Sequence, residues 1–153
     1  MIDLGIARAL HVLSIVLWIG GVAMVTLIII PGARRDGGQF VRFEAVERRF
    51  ARQSRITVAV AGASGFYLAW RLDLWARFAD AHFWWMHAMV GVWLVFATVL
   101  YVLEPLVLHR WFEARSAVDP SGTMGRLQAL HRFLLAVSLV TIAAAVAGSH
   151  GLL

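Results

Sequence analysis

The chain has 153 residues, of which 61% are apolar, with a formal net charge of +5 and no cysteine. That composition lies outside the soluble globular norm and defines a single-domain (1–153) polytopic membrane protein. The missing cysteine excludes disulfides, thiolate metal ligands and a cysteine nucleophile. All fourteen basic residues are arginine, so a lysine Schiff base is excluded as well. The arginines gather beside apolar segments, where membrane orientation and anionic lipid account for them, and no nucleic-acid partner is expected.

The first apolar segment, ALHVLSIVLWIGGVAMVTLIIIP, contains only His11, Ser14 and Thr26 as polar side chains between Leu10 and Ile30. About 20 such residues cross the ~30 Å hydrocarbon core of a bilayer, and the spacing predicts a span over residues 4–30. It is too long for a signal peptide and lacks a small-residue cleavage pattern, so it is read as part of the mature protein. Next, QFVRFEAVERRFARQSR places Phe43, Val46 and Phe50 at helical spacing beside a dense arginine face, which predicts an amphipathic helix at the membrane surface, continuing into the second span. That span, residues 54–71, is the shortest; it holds GASG at 62–65, small residues suited to close helix packing, and has Arg55 and Arg71 to snorkel at its ends. An aromatic connection with Trp70, Trp75, Trp84 and Trp85 suits a membrane interface. The third span, 83–108, carries His87 near its start and Glu104 and Pro105 near its end. A loop with the turn signal DPSG precedes the fourth, 127–149, with His131 at its start and His150 just past its end. The fold expected is all-α, an integral-membrane four-helix bundle with a cytoplasmic-side amphipathic helix before the second span.

Seven arginines lie between Pro31 and Ile56, three between His109 and Gln128 and only two between Trp70 and Phe83. By the positive-inside rule the first and third loops are cytoplasmic and both termini periplasmic, taking the membrane to be a bacterial inner membrane. In that frame His11, His82, His87 and His150 share the outer layer, and His109 and His131 the inner one. A histidine at an interface is ordinarily a polar cap on a helix. His11 and His87 differ, lying about one turn inside the border, where polar groups are costly and usually functional. His11, Trp18 and Val25 form one stripe of the first span; His87, Gly91, Leu94, Thr98 and Tyr101 form one of the third. If both stripes face inward, two imidazoles meet at one depth, with Gly91 and the alanine-rich run 143–148 leaving room for a flat macrocycle.

Imidazole suits iron, copper and zinc, and a bis-histidine haem between helices is an established use of such geometry. The expected site is haem b on His11 and His87, with His150 in reserve, Trp18 and Gly91 against the ring, and Arg8 and Arg71 toward the propionates. Met24, Met86, Met89 and Met124 are scattered and read as no ligand set.

LHVLSIVLWIGG followed by proline, then RRFARQSRITVAVAGASGFYLAW and WWMHAMVGVWLVFATVLY, resembles the CopD/HemJ-like bacterial membrane superfamily, which joins copper-resistance D proteins to the J-type haem-dependent protoporphyrinogen oxidases. The resemblance covers most of the chain. It implies a small bundle of four or five helices with haem-linked redox chemistry or copper handling, and it matches the family's first-helix histidine and tryptophan to His11 and Trp18 and its third-helix histidine to His87.

Three functions follow as expectations. The first is a b-type haem protein in electron transfer or oxidoreduction of a small molecule or quinone. The second is a copper transporter, taking the ion at the outer histidines and releasing it past Glu104, His109 and His131. The third is a structural or assembly subunit, as a homo-oligomer or within a membrane complex. The topology is testable directly: a reporter active only in the cytoplasm, fused to Leu153, is expected to stay silent, and a strong signal would invert the two histidine layers.

Overall fold

The computed structural model describes residues 2–35, 40–108 and 120–152, with side chains for all of these except 40–48, 107–108 and 120–121. No strand occurs among the described residues. α1 (Ile2–Met24) passes through a π-helical stretch, Val25–Ile29, into α2 (Ile30–Arg35). α3 (Phe40–Arg71) is unbroken. Two 3-10 turns, Trp75–Ala79 and Ala81–Phe83, lead into α4 (Trp84–Thr98), whose continuation Val99–Leu108 is π-helical, and α5 runs over Pro120–Ser149. Three stretches, Ile2–Arg35, Ala81–Leu106 and Gly122–Ser149, are long and apolar enough to cross a membrane. α3 is not among them, because Arg55 and Arg71 bracket its short apolar stretch, residues 56–70.

α3 joins residues 40–52 and 56–70 in one helix, so no break separates the expected surface segment from the second span. The side chains of Phe43 and Val46, which carry its expected apolar face, lie outside the described residues, as does His109. α5 begins at Pro120, ahead of the hydropathy onset near 127; proline suits a first helical turn, where its missing N–H has no intrahelical partner to lose. α3 ends with Asp73 at φ 50° while Leu74 N–H bonds to Ala69 O at 2.9 Å. α5 ends the same way, with Gly151 at φ 73° and Leu152 N–H on Ala147 O at 3.0 Å. Both are left-handed stops that satisfy carbonyls of the last turn.

The four long helices share one core, formed by Trp18 and Val22 of α1, Val58 and Ala61 of α3, Phe96 of α4 with Leu100 just beyond it, and Leu135 of α5. Trp18 meets Phe96 edge to face at 4.9 Å. Around this core the helices are joined by rings seated on glycines. Trp93 of α4 lies over Gly62 of α3, Trp85 of α4 over Gly148 of α5, and Phe50 of α3 over Gly21 of α1, each so close that a Cβ would collide with the ring. Trp93 also donates Nε1–H to Val58 O at 2.8 Å.

At the end of the bundle away from the termini, Arg55 of α3 answers a need created by Pro105. In the π-helical register Leu100 O would accept from the amide five residues on, which is the proline and has no N–H. Arg55 Nε–H donates to that carbonyl instead, at 3.2 Å, and Nη2 binds Glu104 at 3.0 Å. Tyr101 Oη returns a bond to Arg55 O at 2.5 Å, so α3 and the continuation of α4 are tied by side chain and backbone together.

The ring-on-glycine contacts predict unequal costs of adding one methyl group. Gly62→Ala and Gly148→Ala are expected to destabilise by about 1–3 kcal/mol through overpacking. Gly91→Ala, where nothing lies within 4 Å of the new Cβ, is expected to stay within about 0.5 kcal/mol of wild type. Thermal unfolding of the three variants in detergent checks the order.

Candidate functional site

Between the helices, in the half nearer the termini, lies a cavity of about 700 Å³. Its wall is drawn from α1, α3, α4 and α5 and is nearly all apolar, with Ile15, Trp93, Met86 and Ile142 among the side chains facing it. Polar groups enter chiefly as Arg8, His11, Ser138, Thr141 and Ser149.

His11 is the one imidazole on this wall among the described residues. Its Nδ1 lies 2.9 Å from Ala61 O and 3.2 Å from Ser64 Oγ. A carbonyl only accepts, and Ser64 already donates its own proton to Val60 O at 2.6 Å. Nδ1 therefore carries the ring proton and is shared between the two oxygens, which leaves Nε2 with a bare lone pair. Gly65 makes room for the ring: a Cβ there would stand 3.0 Å from Cε1. An imidazole whose far nitrogen is anchored on a backbone carbonyl has the arrangement found behind metal-ligating histidines.

The other expected site residues separate from His11. His87 is exposed, edge-on to Phe78 at 5.2 Å, and stands outside the cavity wall. Its whole stripe, with Gly91, Leu94, Thr98 and Tyr101, is exposed. α4 instead turns Trp85, Met86, Met89 and Trp93 toward the cavity, with Phe96 buried below. Gly91 lines a smaller depression of about 320 Å³ between α4 and α5. His150 is exposed at the end of α5, its Nδ1 on Val146 O one turn back at 2.8 Å. His131 likewise bonds within its own helix, to Leu127 O at 3.0 Å. Trp18 lines the cavity with an indole N–H that is buried and has no hydrogen-bond partner among the described residues; Trp85 N–H is similarly placed against Gly148.

The two arginines expected near propionates also part company. Arg71 is held by Asp3, with Nη2 at 2.9 Å and Nε at 3.2 Å from one carboxylate oxygen, which Tyr67 Oη joins at 3.0 Å. Arg8 lines the cavity, is exposed, and has no hydrogen-bond or ion-pair partner among the described residues. Glu104 is engaged by Arg55, away from the cavity.

Among the described residues no group of three or more His, Asp or Glu is placed to hold a metal ion. What sequence reasoning missed is Ser64, read only as a small packing residue, and the pair Met86 and Met89, which one turn of helix brings onto the same wall. A signal for Ser64 was present: Ser54, Thr57, Ala61 and Ser64 fall on one face of α3, and all four are buried. Comparison with protein-family models, curated proteins and solved structures finds no match to the chain.

The hydrogen bonds of His11 predict its tautomer. At mildly alkaline pH the ring is expected to carry its proton on Nδ1 and none on Nε2. Nitrogen-15 spectra of histidine-labelled protein, with the His11 signals assigned by their loss in His11→Ala, check this; a proton on Nε2 would contradict the bond to Ala61 O.

Proposed function

We propose that this chain is a small transmembrane haem protein in which His11 ligates the iron, serving electron transfer or oxidoreduction of a small molecule or quinone. One observation carries the reading: a cavity of about 700 Å³, apolar on nearly every side, with one imidazole among the described residues fixed in its wall and Nε2 left bare. Haem suits that donor set because it brings its own ring of nitrogen ligands and asks the protein only for axial ones. A bare ion held by nitrogen and oxygen alone would need a cluster of side chains, which the described residues do not offer.

When bound, haem supplies one-electron chemistry. The chain's own part is to hold His11 through Ala61 O and Ser64, to exclude water with apolar walls, and to meet an anionic edge with Arg8. In this reading α3 serves as a fourth membrane helix beside the three apolar ones, in a bacterial inner membrane with both termini periplasmic. Bis-histidine ligation would require the exposed His87 to enter the cavity, so His11 alone is the ligand the geometry favours.

A copper reading has one observation of its own: Met86 and Met89 share the wall with His11, and thioethers with imidazole suit Cu(I). Absorption spectra of protein purified after expression with ample haem decide among these. Wild type is expected to be coloured, His11→Ala to lose the haem, and His87→Ala and His150→Ala to keep the wild-type spectrum. A change from six- to five-coordinate haem in His87→Ala would restore the bis-histidine pair. Colourless wild-type protein would end the haem reading, and bound copper lost on Met86→Leu or Met89→Leu would put the copper reading in its place.

A further inference from the structure

The two sides on which the pairs α1–α3 and α4–α5 face each other are closed unequally. Between α3 and α4, the Trp93 ring sits on Gly62, bonds to Val58 O, and is flanked edge-on by Phe66 at 5.7 Å. Between α1 and α5 the half away from the termini is also shut: Val25, Ile30 and Met124 cluster there, and Arg34 of α2 bonds to the buried Gln128. Toward the termini that seam changes character. Val12 and Val16 of α1 are 57% and 59% exposed and Val146 of α5 is 56% exposed, yet all three line the cavity, as does the exposed Gly20. A side chain that walls a cavity while more than half exposed marks its opening. No hydrogen bond among the described residues joins α1 to α5 along this part.

Val12, Val16 and Gly20 belong to an apolar stretch long enough to cross a bilayer, so the medium outside this opening is acyl chain. Arg8 continues the same stripe of α1 one turn nearer the helix start, lines the cavity and has no hydrogen-bond or ion-pair partner among the described residues. The opening thus has an apolar slot and a cation at its membrane-surface end. The volume, about 700 Å³, falls in the ~300–1,000 Å³ range of pockets for one small molecule, which favours a single chain or ring system over a two-chain phospholipid.

We infer that the cavity is filled sideways from the bilayer, through a slot between α1 and α5, by a membrane-dissolved carboxylate amphiphile whose apolar body enters past Gly20 and Val16 while its head stays at Arg8. Applied to haem, which carries carboxylates on an apolar ring, this deepens the function proposed above and rests on it; the slot itself rests on the walls alone.

The test uses full-length protein in phosphatidylcholine vesicles with stearic acid spin-labelled near the chain end. A motionally restricted component is expected in the electron paramagnetic resonance spectrum of wild type. It is expected to be lost in Gly20→Trp, whose new side chain starts in open space, and in Val16→Trp, and to weaken in Arg8→Gln. It is expected to persist in Leu13→Trp, on the same helix but off the wall. Survival of the component in both slot variants, equal loss in Leu13→Trp, or an equal component from spin-labelled phosphatidylcholine or phosphatidylglycerol would overturn the inference. A second arm supplies hemin dissolved in the vesicle lipid. Stearate behaving as expected with no hemin bound would leave the slot standing and remove haem; hemin loading wild type and Gly20→Trp at the same rate would leave haem standing and remove the slot.

Discussion

Rings resting on glycine backbone hold these helices together. Lipid tails are as apolar as leucine, so helices in a bilayer gain little from hiding apolar side chains from their surroundings, and close van der Waals contact with a few hydrogen bonds must do most of the work. Trp93 on Gly62 gives both at once, since the same indole donates to Val58 O. Trp85 on Gly148 fastens α4 to α5 near the termini, and Phe50 on Gly21 fastens α3 to α1 nearer the other end. The cavity is what remains among contacts of this kind: rigid plates fix the helices at separate points and leave the space between them unfilled. His11 on Gly65 belongs to the same set, a ring seated on a glycine, except that this ring keeps a reactive nitrogen.

How much of this was legible in the sequence depended on which physical signal was available. Length and hydropathy suffice for the apolar stretches, because crossing a bilayer is a requirement on length. The position of His11 along the bundle, level with Ala61 in the half nearer the termini, could also be read, since rise per residue is fixed in a helix. Direction around the helix was the difficulty. In water a polar residue faces out and an apolar one in; a membrane helix is apolar all round, and an inward His87 rests only on the expectation that a polar group inside a span is functional. The decisive feature of α4 was bulk, since Trp85, Met86, Met89, Trp93 and Phe96 form the inward face by filling space. The glycines misled for a similar reason. Gly91 lies below a histidine and suggests room for a ring, but the glycines that receive rings are Gly21, Gly62, Gly65 and Gly148, each defined by a partner on another helix. No spacing within one helix reveals such a partner.

Charge inside the bundle follows a complementary logic. Pro105 removes an amide and the π-helical register passes the loss to Leu100 O, which in an apolar surround would be an expensive orphan. Arg55 supplies the missing donor, and Glu104 balances the charge that Arg55 brings. Proline, arginine, glutamate and tyrosine thus form one unit whose members make little sense singly. An ionisable Glu104 near the end of a span, which in isolation suggests a relay, has in this setting a structural occupation. Near the termini Asp3, Tyr67 and Arg71 form a smaller unit of the same kind, joining the start of α1 to the end of α3.

Because α3 is one uninterrupted rod, Arg55 and Ala61 are parts of the same rigid body, six residues and about 9 Å of rise apart. Ala61 O decides which nitrogen of His11 carries the proton, and Arg55 decides where α3 sits against the continuation of α4. A twist or slide of α3 that loosened its clamp on Glu104 and Leu100 O would carry Ala61 O along with it and withdraw the acceptor that keeps the proton on Nδ1. The lone pair on Nε2 is in this sense a mechanical gauge: the basicity offered to the cavity reports the seating of a helix whose fastening lies nearly two turns away, toward the end of the bundle opposite the termini.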